Sequence, residues 1–405
     1  MSVVAPPEPP RSDELDALIP EARARQRRRQ LVMAAAVAIA AAASASVWAA
    51  IPGLGSGSSV LGGRGETGTS RGIDNAGRVP IVEVGTSGGV TWALNGLGMW
   101  LTTNGGRTWR ASAPKQVRHM GDLMERVEQV DFLDRRHAWL FAVDVNGGLQ
   151  PAWARHAELD WTSDGGRTWH LTMTRGCCGD VSFLTPRRGF FLGPSRLFST
   201  NDGGRSWQPV ARIPFRGGVP TFVDARHGVA VVGKGRLFST SDGGRRWVPA
   251  QVPARASVLP NVRRFGQRLV VPAELVGPLA TRLVVYVSED GGATWQARLA
   301  PKWWVPLVGS SDPSEFSAAS PSVWYAAGWH KLAVTTDAGR TWRLVRVTDI
   351  PARWTMSAID FTRLRVGWAV FQRASPPDRS VLMRTTDGGV HWTPAGPRKL
   401  KSHRR

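Results

Sequence analysis

Seven copies of one eight-residue pattern, Ser/Thr-x-Asp/Asn-Gly/Ala-Gly-x-x-Trp, constrain this chain more than any other feature. They run Thr102 to Trp109, Thr162 to Trp169, Thr200 to Trp207, Thr240 to Trp247, Ser288 to Trp295, Thr335 to Trp342 and Thr385 to Trp392. Their third positions are Asn104, Asp164, Asp202, Asp242, Asp290, Asp337 and Asp387, and they close on Trp109, Trp169, Trp207, Trp247, Trp295, Trp342 and Trp392. Successive copies start 60, 38, 40, 48, 47 and 50 residues apart. A repeat of that length is the size of one four-stranded propeller blade. Asp-Gly between apolar runs is a hairpin signal, because glycine takes a positive φ without steric cost. The carboxylate can accept hydrogen bonds from the turn's own N–H groups, and Asn104 keeps an acceptor oxygen for them. Ala338 stands at the first glycine position of the sixth copy, so only the second glycine is strictly repeated. The Trp offers a large apolar surface to pin the hairpin to its blade.

The repeat extends upstream of each box. Phe183 with Gly189-Phe190, Phe222 with Gly228-Val229 and Phe361 with Gly367-Trp368 fall at matching distances; Phe132 with Ala138-Trp139 and Phe316 with Val323-Trp324 are looser copies. Each unit therefore reads as strand A around the Phe, strand B after it, strand C ending at the box, and strand D starting at the box Trp. Four short antiparallel strands, seven times over, predict an all-β, seven-bladed β-propeller.

These motifs resemble the Asp-box (BNR) repeat over roughly residues 79 to 396. The form here is most similar to the photosystem II assembly/stability factor family, and more distantly to sialidase and sortilin-type propellers. That resemblance implies a scaffold or assembly factor for a membrane complex. It is specific for fold and weak for function, since one fold hosts many activities.

Ahead of the repeats, residues 1–30 end in an arginine cluster, Arg23 to Arg29. Residues 31–51 carry no charge, and 21 helical residues span roughly 30 Å, one hydrocarbon core. The preceding arginines predict a single-pass transmembrane helix with the N-terminus cytoplasmic and the propeller extracytoplasmic. The competing reading is a signal peptide cleaved after Ala43-Ser44-Ala45, giving a secreted propeller. Residues 52–78 read as a Gly/Ser-rich tether and 397–405 as a basic tail.

Net charge is +21, of which residues 1–30 and 52–78 contribute +1 each and the tail +5, leaving about +14 on the propeller. Outside the membrane such charge suits a membrane protein or acidic protein partner, anionic lipid or an acidic wall polymer, and not nucleic acid. Adjacent Cys177 and Cys178 are a possible vicinal disulfide or two free thiols, and adjacent side chains diverge too far to make a metal site alone. No cofactor is expected.

In a propeller of this order the C–D and A–B turns share one face. Arg187, Arg188 and Arg226 on A–B turns, with Arg107, Arg167, Arg205, Arg245 and Arg340 in the boxes, predict a basic box face. Loops of the opposite face carry Trp153, Arg216, Arg255, Lys302, Trp303, Trp304, Arg353 and Trp354, where Trp beside Arg or Lys is interface vocabulary. Because basic charge is so widespread, the aromatic face is the preferred docking surface. A sialidase-like site would require a tyrosine nucleophile, an arginine triad and an early Arg-Ile-Pro. Only Tyr286 and Tyr325 exist, and Arg212-Ile213-Pro214 follows the third box. Glycoside hydrolysis needs two carboxylates about 5 to 10 Å apart, and Asp122, Glu125, Glu128, Asp144, Glu158, Glu274 and Asp349 form no recognisable pair. The expectation is a binding protein and not an enzyme, with a glycan-binding protein or glycosidase as the alternative.

Overall fold

Among the described residues twenty-nine strands gather into seven sheets, each built from one stretch of the sequence. The computed structural model describes residues 81, 83–95, 98–112, 114, 127–143, 157–173, 180–216, 218–253, 256–276, 281–300, 316–328, 331–348, 350, 354–373 and 380–398. The expected anchor at 31–51, the tether at 52–78, Cys177 and Cys178, and most of the basic tail lie outside the described residues. Among the described residues no helix is long and apolar enough to cross a membrane.

Blades 1 to 7 cover residues 83–111, 127–173, 180–212, 219–249, 257–299, 316–345 and 354–394. Each is an antiparallel meander A-B-C-D, as in blade 4: Val219–Phe222, Gly228–Val232, Arg236–Thr240 and Val248–Pro249. Strand D begins one residue after the box Trp in every blade and not on it, because the Trp ring turns inward to pack while its backbone is still leaving the turn. The first strands of neighbouring blades contact one another, which places strand A nearest the axis. Blade 5 has an interrupted strand A, Ser257–Val258 and Arg263–Phe265, both pairing with Arg268–Val276. Among the described residues no strand is exchanged to close the ring. Instead Ile81, Val84 and Ala93 of the first blade pack on Ala358, Trp368, Val370 and Leu382 of the last, and the Trp109 indole N–H donates to the Ala395 carbonyl at 2.7 Å.

Local chemistry explains the repeat position by position. In blade 4 the Thr240 hydroxyl donates to Asp242 Oδ1 at 3.0 Å and accepts the Gly244 N–H at 2.9 Å. Asp242 Oδ1 in turn accepts the Arg246 N–H at 2.9 Å. A hydroxyl is therefore required at the first box position, a carboxylate or amide at the third. The second glycine has two constraints at once. Gly244 sits at φ 82°, and a Cβ there would meet Leu197 of the preceding blade at 2.1 Å. At the first glycine position Ala338 is accommodated at φ 60°, which is why that position varies.

The upstream Phe and Gly are also a pair. Phe183, Phe222 and Phe361 lie opposite Gly189, Gly228 and Gly367, and a Cβ on any of these glycines would strike the ring at 2.4–2.8 Å. Each Phe ring stacks on an aromatic of the preceding blade: Phe183 on Trp139, Phe222 on Phe190, Phe361 on Tyr325, at centroid separations of 3.3, 3.7 and 3.5 Å. Its edge meets its own box Trp, with Trp207, Trp247 and Trp392 each 6.0 Å away. In blade 6 the looser copy is a shift of register: Ala318 lies opposite Trp324, and Phe316 pairs with Ala326.

Candidate functional site

The A–B turns and the boxes share a face because they are hydrogen-bonded to each other. The Gly165 N–H donates to the Arg136 carbonyl, Gly203 to Arg187, Gly243 to Arg226 and Gly388 to Arg365, all at 2.8–2.9 Å. This brings the turn arginines beside the box arginines. Arg136, Arg187, Arg188, Arg205, Arg226 and Arg245 are all exposed there. The box carboxylates offset them only in part, since their oxygens are engaged. The Thr341 hydroxyl and N–H hold the Asp337 carboxyl at about 2. For Asp202 desolvation acts upward, but the Ser206 and Thr200 hydrogen bonds together outweigh it and leave it at about 2.

Between blades 2 and 3 this face opens into a cleft of about 220 Å³. Its lining includes His137, Trp139, Trp161, Ser163, Arg187 and Arg205. Trp139 and Trp161 lie directly opposite each other on strands B and C of blade 2. The Trp139 N–H donates to the Gly203 carbonyl at 3.0 Å, so the indole ties blade 2 to blade 3 beneath the cleft. The Arg205 guanidinium lies over the Trp161 ring at 4.1 Å while its Nη1 donates to the Asp202 carbonyl at 2.5 Å. His170 stacks on the same indole at 4.6 Å. The His137 Nδ1 is 2.9 Å from Asp134 Oδ2, which fixes the ring. The Arg187 side chain has no hydrogen-bond or ion-pair partner among the described residues. The result is a small cavity walled by indole, with two guanidiniums and one oriented imidazole at its mouth. Such a site can accept a carboxylate or another anionic group beside a flat apolar one.

The sequence-derived candidates divide sharply. Arg187 lines the cleft, and Arg188 and Arg226 lie on exposed A–B turns of the same face. Of the aromatic set, Trp153, Arg255, Lys302, Trp303, Trp304 and Arg353 lie outside the described residues. Arg216 is exposed between blades 3 and 4, whereas Trp354 opens strand A of blade 7 and packs against the blade 6–7 core. The seven box residues at the third position all bond within their own turns, as a structural role requires. The box tryptophans pack on their own blades, and Trp109 and Trp169 also reach the preceding one.

Two features were not foreseen from sequence. Trp161 and His137 carried no signal, because each belongs to an ordinary strand or turn and only folding sets them beside Arg205. The second is a set of charges near the axis. Arg263 Nη2 lies 2.9 Å from Asp360 Oδ1. Arg264 donates to the Phe222 carbonyl and, at 3.3 Å, to that of Phe183. Burial pushes the Asp131 carboxyl up, and the Arg264 and Arg263 charges oppose that rise. Among the described residues no three His, Cys, Asp or Glu side chains are grouped to hold a metal ion.

Fold and site define a seven-bladed β-propeller with a basic, indole-walled cleft on one face. No protein-family profile matches the chain, and no curated protein does. Solved structures do. YCF48 bound to a D1 peptide is similar at 17% identity and TM-score 0.50, over 77% of this chain and 94% of that one. YCF48 from Cyanidioschyzon merolae is similar at 14% identity and TM-score 0.51, over 78% and 97%. The GH74 enzyme of Niastella koreensis matches at 14% identity and TM-score 0.52, over 80% of this chain and 67% of the enzyme. At such identities the likeness establishes the fold alone, which YCF48 and a GH74 enzyme share.

Proposed function

We propose that this chain is a membrane-anchored, extracytoplasmic scaffold that binds an acidic segment of a protein partner and catalyses no reaction. The observation that carries the reading is the blade 2–3 cleft. Arg187, without a side-chain partner among the described residues, lines the cleft with an Arg205 already held on Trp161, so the site offers one available and one fixed guanidinium against an indole wall. Preorganised guanidiniums bind carboxylates with little further ordering. A structure of YCF48 holding a D1 peptide supports peptide capture by a propeller of this build. By analogy the partner here would be a component of a membrane complex.

The anchor follows from the uncharged run 31–51 after the arginine cluster. Protease treatment of spheroplasts is expected to remove the propeller and leave a membrane stub; a fully protected propeller would reject the topology. For the docking site, crosslinking in solubilised membranes is expected to recover one acidic partner with the full chain. That partner should be lost from Arg187→Glu/Arg205→Glu. Undiminished capture by the double variant would reject the cleft. Turnover of a glycan substrate, abolished by a single carboxylate substitution, would replace this reading with the glycosidase one.

A further inference from the structure

Strand C of blade 2, Ala157–Thr162, breaks the pattern of the other six blades. Two residues before the box Ser or Thr those blades carry Trp100, Phe198, Phe238, Tyr286, Ala333 and Met383; blade 2 carries Asp160. Asp160 has 0% exposure, and neither carboxylate oxygen has a hydrogen-bond partner among the described residues. Glu158 lies two residues back on the same strand face and is 8% exposed. Alternation along a strand puts residues i and i+2 on one side, so two carboxyls share one buried surface.

That surface is the joint between blades 1 and 2. Asp160 is paired with Leu140 and Leu171, and Glu158 with Ala142. Leu140 and Ala142 belong to the core formed with Val90, Trp92, Leu94, Met99 and Leu101 of blade 1. Among the described residues, the strands packed against Asp160 present neutral groups. Strand B of blade 2 offers Ala138, Leu140 and Ala142, strand D of blade 2 offers Leu171, and strands B and C of blade 1 offer the five apolar residues just named. The Ser112 hydroxyl, just after blade 1, donates to the Gly166 carbonyl. Arg110 is engaged with the Gly165 and Gly166 carbonyls. Burial, and after it the charge of Glu158, raises the Asp160 carboxyl to about 7.

We propose that Asp160 and Glu158 form a proton-controlled joint, in which blades 1 and 2 pack tightly while Asp160 is neutral and loosen when it ionises. A neutral Asp160 carboxyl in this apolar seam costs little, whereas a negative charge on it, with neither oxygen hydrogen-bonded and the Glu158 carboxylate beside it, is costly. The folded protein holds a proton that the unfolded chain releases near pH 4. The stabilisation is thus greatest at low pH and is lost as pH rises through about 7. The neighbouring residue, Trp161, points to the other side and walls the cleft, so a loosened strand C also frees that wall. The proposal about the joint stands whether or not the cleft docks a partner.

Hydrogen exchange of the full chain in detergent micelles, corrected for intrinsic rates, tests it at residues 157–162 and in strands B and C of blade 1. The opening equilibrium there is expected to increase roughly 10²-fold between pH 5 and pH 8, since about two pH units of linkage lie between pH 5 and the folded pKa of about 7. Asp160→Asn, or Asp160→Leu to restore the apolar pattern, should reduce the change to less than about 3-fold. Equal pH dependence in wild type and either variant would overturn the joint. Should both variants misfold, carbon and amide NMR of labelled wild-type protein still decides. One carboxyl titrating near neutrality, with the amide resonances of residues 157–162 moving in step, is expected; amides there that show no titration near neutrality would reject the proposal.

Discussion

The Arg263 guanidinium, on the innermost strand of blade 5, meets the Asp360 carboxylate, on the innermost strand of blade 7, at 2.9 Å. The two residues are 97 positions apart. Asp360 is 2% exposed, so its charge is compensated across the middle of the ring by a blade that is not its neighbour. Leaving one member of such a pair behind strands a buried charge, whereas replacing both removes the problem. Arg263→Met should therefore destabilise the propeller by about 3 kcal/mol in urea unfolding, and Arg263→Met/Asp360→Leu by clearly less. Equal losses in the single and double variants would show that the pair does not act as a brace.

The boxes make a second prediction, about stability and not binding. Asp242→Ala strands the Arg246 N–H and the Thr240 hydroxyl and should cost about 1–3 kcal/mol. Trp247 is 7% exposed and its ring meets Phe222 and Phe215, so Trp247→Ala should cost about 3–5 kcal/mol. Thermal unfolding measures both. Loss of partner capture with unchanged melting would contradict the structural role.

Stability against pH should rise and then fall. The box carboxyls of Asp202, Asp337 and Asp387 sit at about 2, below their unfolded value near 4. A depressed carboxyl contributes stability above the unfolded pKa that disappears as pH falls toward 2. Asp160, raised to about 7, acts in the opposite sense and weakens the fold as pH climbs from 4 to 7. The urea midpoint of the full chain should therefore peak near pH 4–5. A midpoint that climbs steadily to pH 8 would refute the opposition of the two groups.

Docking has a kinetic signature. Arg187 is an exposed charge at the mouth of the cleft, so Arg187→Glu should slow association with an acidic partner and flatten its salt dependence. Trp161 forms the wall under Arg205, so Trp161→Ala should act mainly on dissociation. Surface plasmon resonance across a salt series separates the two; identical kinetic defects would argue against distinct roles.

Seven blades, the A-B-C-D order of each and the places of the box turns were legible in sequence, though not the break in strand A of blade 5, because those features rest on contacts within about ten residues. Thr240, Asp242 and Gly244 satisfy one another inside one turn, and Phe222 lies over Gly228 across one hairpin. Local chemistry of that kind repeats visibly when the blade repeats. The basic box face was legible for the same reason: each arginine's place in its own blade fixes its face.

What the tertiary structure decided is everything that depends on which blades are neighbours, or which face each other across the axis. Arg205 reaches Trp161, Arg263 reaches Asp360, and Asp160 enters the seam with blade 1 only because the ring closes with each blade in its place. None of these partners recurs from blade to blade, so no periodicity announces them. A sequence repeat records the contacts that every blade must make; the cleft, the axial ion pair and the buried carboxyls come from contacts that single blades make once.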